Sequence, residues 1–247
     1  MKKPYGVLIL HGLSASLDCV NGIEPPLREL GLPIRMPVLR GHGAASPEAL
    51  NGVRWQDWVV DGDAALQDLL DEVERAIVFG HSMGGLVALN LAGRDTLRID
   101  SAILAAPALL FDSPVATGRP LGFLAPALTY VLKKWPMPPD YADPELAKNN
   151  TNYPWIPIES VAQTLEFQKA VRAHLFQVRQ PLLMIGSRRD PTVDPKSFEI
   201  IAGGVSTPPE LQRILWFEQT KHEMFRDCEC DCVIQAVVDY VKERINI

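Results

Sequence analysis

Residues Gly80-His81-Ser82-Met83-Gly84 spell G-x-S-x-G, one serine set between glycines. The apolar run Ala76-Ile77-Val78-Phe79 leads into it, and the helix-compatible stretch "MGGLVALNLAG" follows. A strand turning sharply into a helix leaves a serine on strained backbone, its hydroxyl projecting at the top of a sheet. Positions two residues to either side must be small for the chain to pass. The new helix N-terminus adds positive potential where an oxyanion would form. Such a serine can attack an acyl carbon. The five-residue pattern alone is short; the strand before it and the helix after it separate a nucleophile from a turn residue.

A serine hydroxyl is a poor nucleophile at neutral pH and needs a base. On an elbow of this kind the partners follow in the order serine, acid, histidine. The chain has five histidines: His11, His42, His81, His174 and His222. Only His174 and His222 follow Ser82. His174, in "VRAHLFQV", sits in a helical stretch with no acid in a strand-end loop before it. His222, in "FEQTKHEMF", comes just after the apolar run Ile214–Phe217. The C-terminal ends of strands are where α/β sheets build their sites, so His222 is assigned as general base and acid. The stretch "PLLMIGSRRDPTVDP" offers two carboxylates. Asp190 follows a strand-like run and is preferred as the acid that orients the imidazole and stabilises the imidazolium. Asp194, just before Pro195, reads as a helix N-cap. Asp112, after the run Ala102–Ala105, is a third and weaker candidate. The oxyanion donors expected are the backbone N–H of Met83 and that of Leu13, which follows His11-Gly12 in "LILHGLSAS". Gly12 would let the backbone come close to a substrate.

These residues need a scaffold. Val7–Leu10, Ile34–Leu39 (interrupted by Pro37), Ala76–Phe79, Ala102–Ala105, Leu182–Ile185 and Ile214–Phe217 read as buried strands. Near-continuous apolar runs suit parallel strands covered on both faces. Trp55, Trp58, Val59, Leu66, Leu69, Leu70 and Val73 recur at helical spacing, as do Val233, Ile234, Val237, Val238 and Val241. Alternating strands and helices imply an α/β fold with a mainly parallel central sheet flanked by helices. From Phe111 to Gln180 the rhythm breaks. Prolines at 136, 138, 139, 144, 154 and 157 forbid long regular elements there. Short helices are expected around Leu121–Leu132 and Ile158–Phe176. The segment is too apolar for a disordered linker. The expected organisation is a core of residues 1–110 and 181–247, with 111–180 inserted as a mostly helical cap.

Bulk properties exclude other classes. The net charge of −6 argues against a nucleic-acid partner, whose phosphates require a basic face. Lysines 2 and 3 precede an apolar run of only four residues, Val7 to Leu10, short of the roughly 7–15 that a signal-peptide core needs. No apolar run approaches the roughly 18 residues of a membrane span. A soluble, cytoplasmic protein is expected. Of the four cysteines, Cys228, Cys230 and Cys232 fall in "CECDC". They lack a companion pair at zinc-ligand spacing, and alternating positions on a helix cannot all face one ion. They read as reduced bystander thiols, and no metal or organic cofactor is expected.

With these residues placed, the chain resembles the α/β-hydrolase superfamily, and within it the small bacterial carboxylesterases and monoacylglycerol lipases. The resemblance runs through "LILHGLSAS", "MPVLRGHGAASPEAL", "WQDWVVDGDAAL", "VFGHSMGGLVAL", "LLMIGSRRDPTVDP" and "FEQTKHEMFRD", and so spans most of the chain. It implies an α/β-hydrolase fold and a triad of Ser82, Asp190 and His222. It also implies oxyanion donors at Leu13 and Met83, and a loop near the site at Arg40-Gly41-His42-Gly43. The chain departs from the family at Lys221, where glycine often precedes the histidine, and in segment 111–180, which matches poorly. The implied activity is a serine carboxylic-ester hydrolase. Its expected substrates are small-molecule esters with short- to medium-chain acyl groups, monoacylglycerols among the candidates. A thioesterase, an amidase, a carbon–carbon bond hydrolase or a non-catalytic ligand-binding protein stands as the alternative.

Overall fold

The computed structural model describes residues 1–112 and 132–246. Six strands form the central sheet: β1 (Lys3–Leu10), β2 (Ile34–Arg35), β3 (Val73–His81), β4 (Ile99–Ala105), β7 (Leu182–Ser187) and β8 (Gln212–Phe217). Their spatial order is β2-β1-β3-β4-β7-β8, and every neighbouring pair is parallel. Among the described residues the α-helices are α1 (Glu24–Glu29), α2 (Trp55–Glu72), α3 (Met83–Arg94), α4 (Pro144–Ala147), α5 (Ile158–His174), α6 (Lys196–Gly204) and α7 (Cys230–Ile245). This is the mainly parallel α/β architecture expected from the alternating runs.

Successive residues of a strand point to opposite faces, and the core divides accordingly. Leu8, Leu10, Val78, Leu104 and Met184 face one layer, packed with Trp58 and Leu66 of α2 and Leu86 of α3. Val7, Ile9, Ile77, Phe79, Ile103 and Ile185 face the other, against Val233, Val237 and Val241 of α7. All seven residues of β4 are buried. Helices cover both sides of the strands, which is why these runs are apolar throughout.

Four expectations meet a different outcome. The run Ile214–Phe217, expected as a buried strand, lies in the edge strand β8, where no residue is buried and Ile214 is exposed. The run Ile34–Leu39 pairs only at Ile34–Arg35. Pro37 has no N–H to give to a ladder, and the chain turns off, with Leu39 N–H donating to Nε2 of His11 at 3.0 Å. Val73 belongs to the apolar helical pattern but opens β3. It caps α2 in extended conformation (φ −125°, ψ 161°), so helix passes into strand without a loop. Within the 132–180 stretch an unanticipated antiparallel ribbon forms, β5 (Lys134–Pro136) with β6 (Trp155–Pro157), with one proline at each end: Pro157 opposite Lys134 and Pro136 opposite Trp155. The helix expected at Ile158–Phe176 is α5, and Leu175–Gln177 tightens into a 3₁₀ turn. The helix expected around Leu121–Leu132 lies outside the described residues.

Among the described residues no helix is long and apolar enough to cross a membrane. Cys19 is buried, Cys228 and Cys232 are exposed and Cys230 is half-buried. Among those residues no group of three or more His, Cys, Asp or Glu side chains is arranged to hold a metal ion.

Candidate active site

Ser82 stands at the junction of β3 and α3 with φ 55° and ψ −116°. A non-glycine residue there stores strain of order 1–3 kcal/mol. Its N–H donates to Ala105 O at 2.9 Å, and its carbonyl accepts from Gly85 at 3.0 Å and from Ala108 at 3.2 Å. These bonds hold the bend on both sides. The glycines of the motif are demanded by backbone contact. A Cβ on Gly80 would lie 2.2 Å from Gly84 O, and one on Gly84 would lie 2.4 Å from Leu10 O. Met83 is buried and opens α3, where the first-turn N–H groups have no intrahelical acceptor.

The hydroxyl of Ser82 meets Nε2 of His222 at 3.0 Å, and Nδ1 of His222 meets Oδ2 of Asp190 at 2.9 Å. Three residues 32 and 140 positions apart in the chain therefore share one line of hydrogen bonds. With Nδ1–H donating to the carboxylate, Nε2 is left to accept from the serine O–H. The second oxygen of Asp190 accepts from Thr192 N at 2.8 Å and Val193 N at 3.0 Å. Burial alone would raise the carboxyl pKa of Asp190. The His222 charge and the hydrogen bonds outweigh it and hold the group below the usual carboxylate range. Burial alone would likewise depress His222. The adjacent Asp190 carboxylate, with Glu223 and Asp140 behind it, lifts the imidazole to about 9.

The other candidates fall elsewhere. Oδ1 of Asp194 accepts from Lys196 N at 2.8 Å at the start of α6, a helix-starting role. Asp112 gives its N–H to Thr192 O in the loop that carries Asp190. His174 is exposed at the end of α5 and its Nδ1–H donates to Ala170 O at 2.8 Å.

The His11-Gly12-Leu13 turn lies against the serine. A Cβ on Gly12 would stand 3.2 Å from Ser82 Cβ and 3.4 Å from His81 Nδ1. Gly12 thus lets the turn approach the elbow itself. His11 and His42 form an edge-on pair at 4.9 Å beneath this turn. Burial, the larger effect in each, keeps both neutral, at about 4 and about 3. The Arg40–Gly43 loop is bound to α2: Arg40 pairs with Asp57 at 2.7 Å and Asp61 at 2.8 Å, and its carbonyl accepts from Trp58 Nε1.

Several supporting residues escape sequence inspection. His81 donates from Nε2 to the carbonyl of His222 at 3.0 Å. Burial, then repulsion from His222, keeps His81 neutral, at about 4. The hydroxyl of Tyr153 accepts from Ala44 N at 3.0 Å and donates to Gly41 O at 3.2 Å, while its N–H reaches Ser14 O at 2.8 Å. Glu229 accepts from Gln219 N at 2.9 Å and Thr220 N at 2.7 Å. Asp227, fully buried, accepts from four backbone N–H groups. The run of acids after the histidine in "HEMFRDCE" is the only sequence signal for the last two.

The chain matches the model of a hydrolase family described as serine aminopeptidase, S33, over residues 4–229. It is 26% identical to a carboxylesterase of Bacillus subtilis (strain 168) over 242 residues, covering 96% of this chain and 92% of that protein. It is 27% identical to a thermostable monoacylglycerol lipase of Bacillus sp. (strain H-257) over 218 residues, covering 85% and 81%. Among solved structures it superposes on one from the study of LipS and LipT, two metagenome-derived lipolytic enzymes. There the TM-score is 0.86 and the identity 23%, covering 98% and 95% of the two chains. That likeness bears on the fold, which is the α/β-hydrolase fold. The family match, over more than nine-tenths of the chain, makes this protein a serine hydrolase of the serine aminopeptidase S33 family.

Proposed function

We propose that the protein hydrolyses carboxylic esters through Ser82, His222 and Asp190, by way of an acyl-enzyme. The observation that carries this reading is the unbroken line Ser82 Oγ, His222 Nε2, His222 Nδ1, Asp190 Oδ2 at 3.0 and 2.9 Å. Ser82 Oγ attacks the ester carbonyl carbon while Nε2 of His222 takes its proton. The N–H groups of Leu13 and Met83 receive the oxyanion, each donor contributing about 10²–10³ in rate. His222 returns the proton to the alcohol oxygen as the ester C–O bond breaks. Water then attacks the acyl carbon, giving a proton to His222, which passes it to Ser82 Oγ as the acid leaves. Asp190 keeps the imidazole in the productive tautomer and stabilises the imidazolium.

The substrates proposed are short- to medium-chain acyl esters, monoacylglycerols included. The activities carried in the names of the Bacillus relatives support the ester class. Segment 111–180 is proposed as the cap over the acyl pocket. Its described part is fastened to the site loops by Tyr153 and by residues 142–143. The family's aminopeptidase description favours amides as the second reading.

The test is a panel of p-nitrophenyl esters of graded chain length, 1-monoacylglycerols, acyl thioesters and aminoacyl amides, run beside fluorophosphonate labelling. The expected result is ester turnover, with the label on Ser82. Preferential amide turnover selects the second reading. Labelling elsewhere, or none, defeats the nucleophile assignment.

A further inference from the structure

Asp227 lies five residues beyond His222, outside the hydrogen-bonded line, and its side chain is fully buried. Its oxygens gather three separate pieces of chain. Oδ2 accepts from Ala142 N at 2.7 Å, Lys221 N at 2.8 Å and the Thr220 hydroxyl at 3.3 Å. Oδ1 accepts from Asp143 N at 3.2 Å and Cys228 N at 2.8 Å. Burial would raise its pKa, but the four N–H groups outweigh that and hold it below the ordinary carboxylate range. It is therefore a fixed anion at any working pH.

Two of these donors stand just after Asp140, and one is the residue immediately before His222. Asp140 in turn leans on both neighbours of the histidine. Its carbonyl accepts from Glu223 N at 3.5 Å, and its Oδ1 lies 3.8 Å from Lys221 Nζ. Its Oδ2 is buried without a hydrogen-bond partner. We infer that Asp227 is a positioning residue that locks segment 140–143 to the His222 loop, so that the Asp140 carboxylate and the catalytic imidazole move as one body. Without this joint the segment and the loop would lose their strongest shared acceptor, since a charged acceptor makes hydrogen bonds roughly twice as strong as a neutral one. The inference rests on the role of His222 proposed above.

Asparagine is nearly isosteric with aspartate but cannot replace it here. Donors converge on both oxygens, so an amide NH₂ placed on either side must face N–H groups. The test is a cycle of Asp227→Asn and Asp140→Asn, read in kcat, KM and the pH dependence of kcat/KM on a p-nitrophenyl ester. The groups facing His222 are Asp190, Glu223, Asp140 and the neutral His81, so removing the Asp140 charge reports on the distance between that carboxylate and the ring. In the wild-type background Asp140→Asn is expected to lower the apparent pKa of the acidic limb. In the Asp227→Asn background the same change should move it by less than about a third as much. Asp227→Asn alone is expected to cut kcat by at least tenfold with KM within about threefold, and Asp227→Glu to recover most of the loss.

If Asp227→Asn lowers the melting temperature but leaves kcat and the full Asp140 effect intact, Asp227 is structural and the inference is overturned. If Asp227→Asn does not fold, the cycle is run on Asp227→Ser, which removes the charge and one acceptor oxygen; an undiminished Asp140 effect there overturns it equally. Failure of the reading in Proposed function is separately visible, because wild-type enzyme would then neither turn over esters nor label at Ser82.

Discussion

The carbonyl of His222 accepts a hydrogen bond from Nε2 of His81, 3.0 Å away. The residue that precedes the serine in sequence therefore grips the backbone of the histidine that meets the serine in space. The ring of His222 is held from one side by Asp190 and its main chain from the other by the elbow. The elbow and the His222 loop cannot drift apart without breaking both this contact and the one between Ser82 Oγ and His222 Nε2.

Replacing Ser82 by Ala should abolish turnover of p-nitrophenyl esters while leaving the circular dichroism spectrum intact. Asp190→Asn should lower kcat by about 10²–10⁴ through loss of the correct tautomer. Asp194→Asn keeps the oxygen that accepts from Lys196 N, and should leave stability within about 0.5 kcal/mol and kcat within about threefold. Stopped assays on the three purified variants compare them directly; a larger rate loss in Asp194→Asn than in Asp190→Asn would exchange their roles.

The rate should rise with pH well past the ordinary imidazole value of about 6.5. In the proposed reaction His222 must be neutral to accept the serine proton, and its surrounding carboxylates lift it to about 9. The acidic limb of kcat/KM is thus displaced to the alkaline side, and Asp190→Asn should bring it back down. A profile already at plateau by pH 6.5 would contradict the electrostatics of the site.

Stability should fall as the solution is acidified through the range from about 6.5 towards about 4. His11, His42 and His81 are buried neutral, each with its folded pKa below the unfolded value. In that window the unfolded chain binds protons that the folded chain does not, so each group takes away about 1.4 kcal/mol per pH unit. His222 acts in the opposite sense, and only above about 6.5: its contribution is full below that value and fades as pH rises through its folded pKa. Urea midpoints measured every half unit from pH 8 to pH 4 would register the loss; a flat curve would not fit three neutral buried rings.

Gly84→Ala should be severely destabilising, by about 3 kcal/mol or more, because the new methyl meets the Leu10 carbonyl at 2.4 Å. For a domain of this size that is a drop of roughly 6–12 °C in melting temperature. Gly203→Ala is the control. It lies in α6 with nothing within 4 Å of the added Cβ, and helix propensity predicts a gain of a few tenths to about 1 kcal/mol. Differential scanning fluorimetry of both variants distinguishes a backbone clash from a generic cost of losing glycine.

The sheet and the Ser82–Asp190–His222 line were legible because their signals are local. Each strand announces itself by an apolar run, and each reactive side chain sits within a few residues of a strand's C-terminal end. Asp227 and Tyr153 carry no such signal. Their donors and acceptors lie far away in sequence, Ala142 from Asp227 by 85 positions and Ala44 from Tyr153 by 109. An isolated aspartate or tyrosine in a loop looks the same whether or not distant amides converge on it. The β5–β6 ribbon was obscured for the opposite reason. Its short strands are bounded by prolines that signal interruption, yet two three-residue segments need no more room than that.

A Cβ on Gly12 would press on Ser82 and His81, and one on Gly84 would collide with the carbonyls of Leu10 and His11. Two motifs some seventy positions apart in "LILHGLSAS" and "VFGHSMGG" are each the mould of the other. Randomising either one alone would return the parental glycine. New shapes for this corner of the molecule are accessible only to libraries that vary both motifs together.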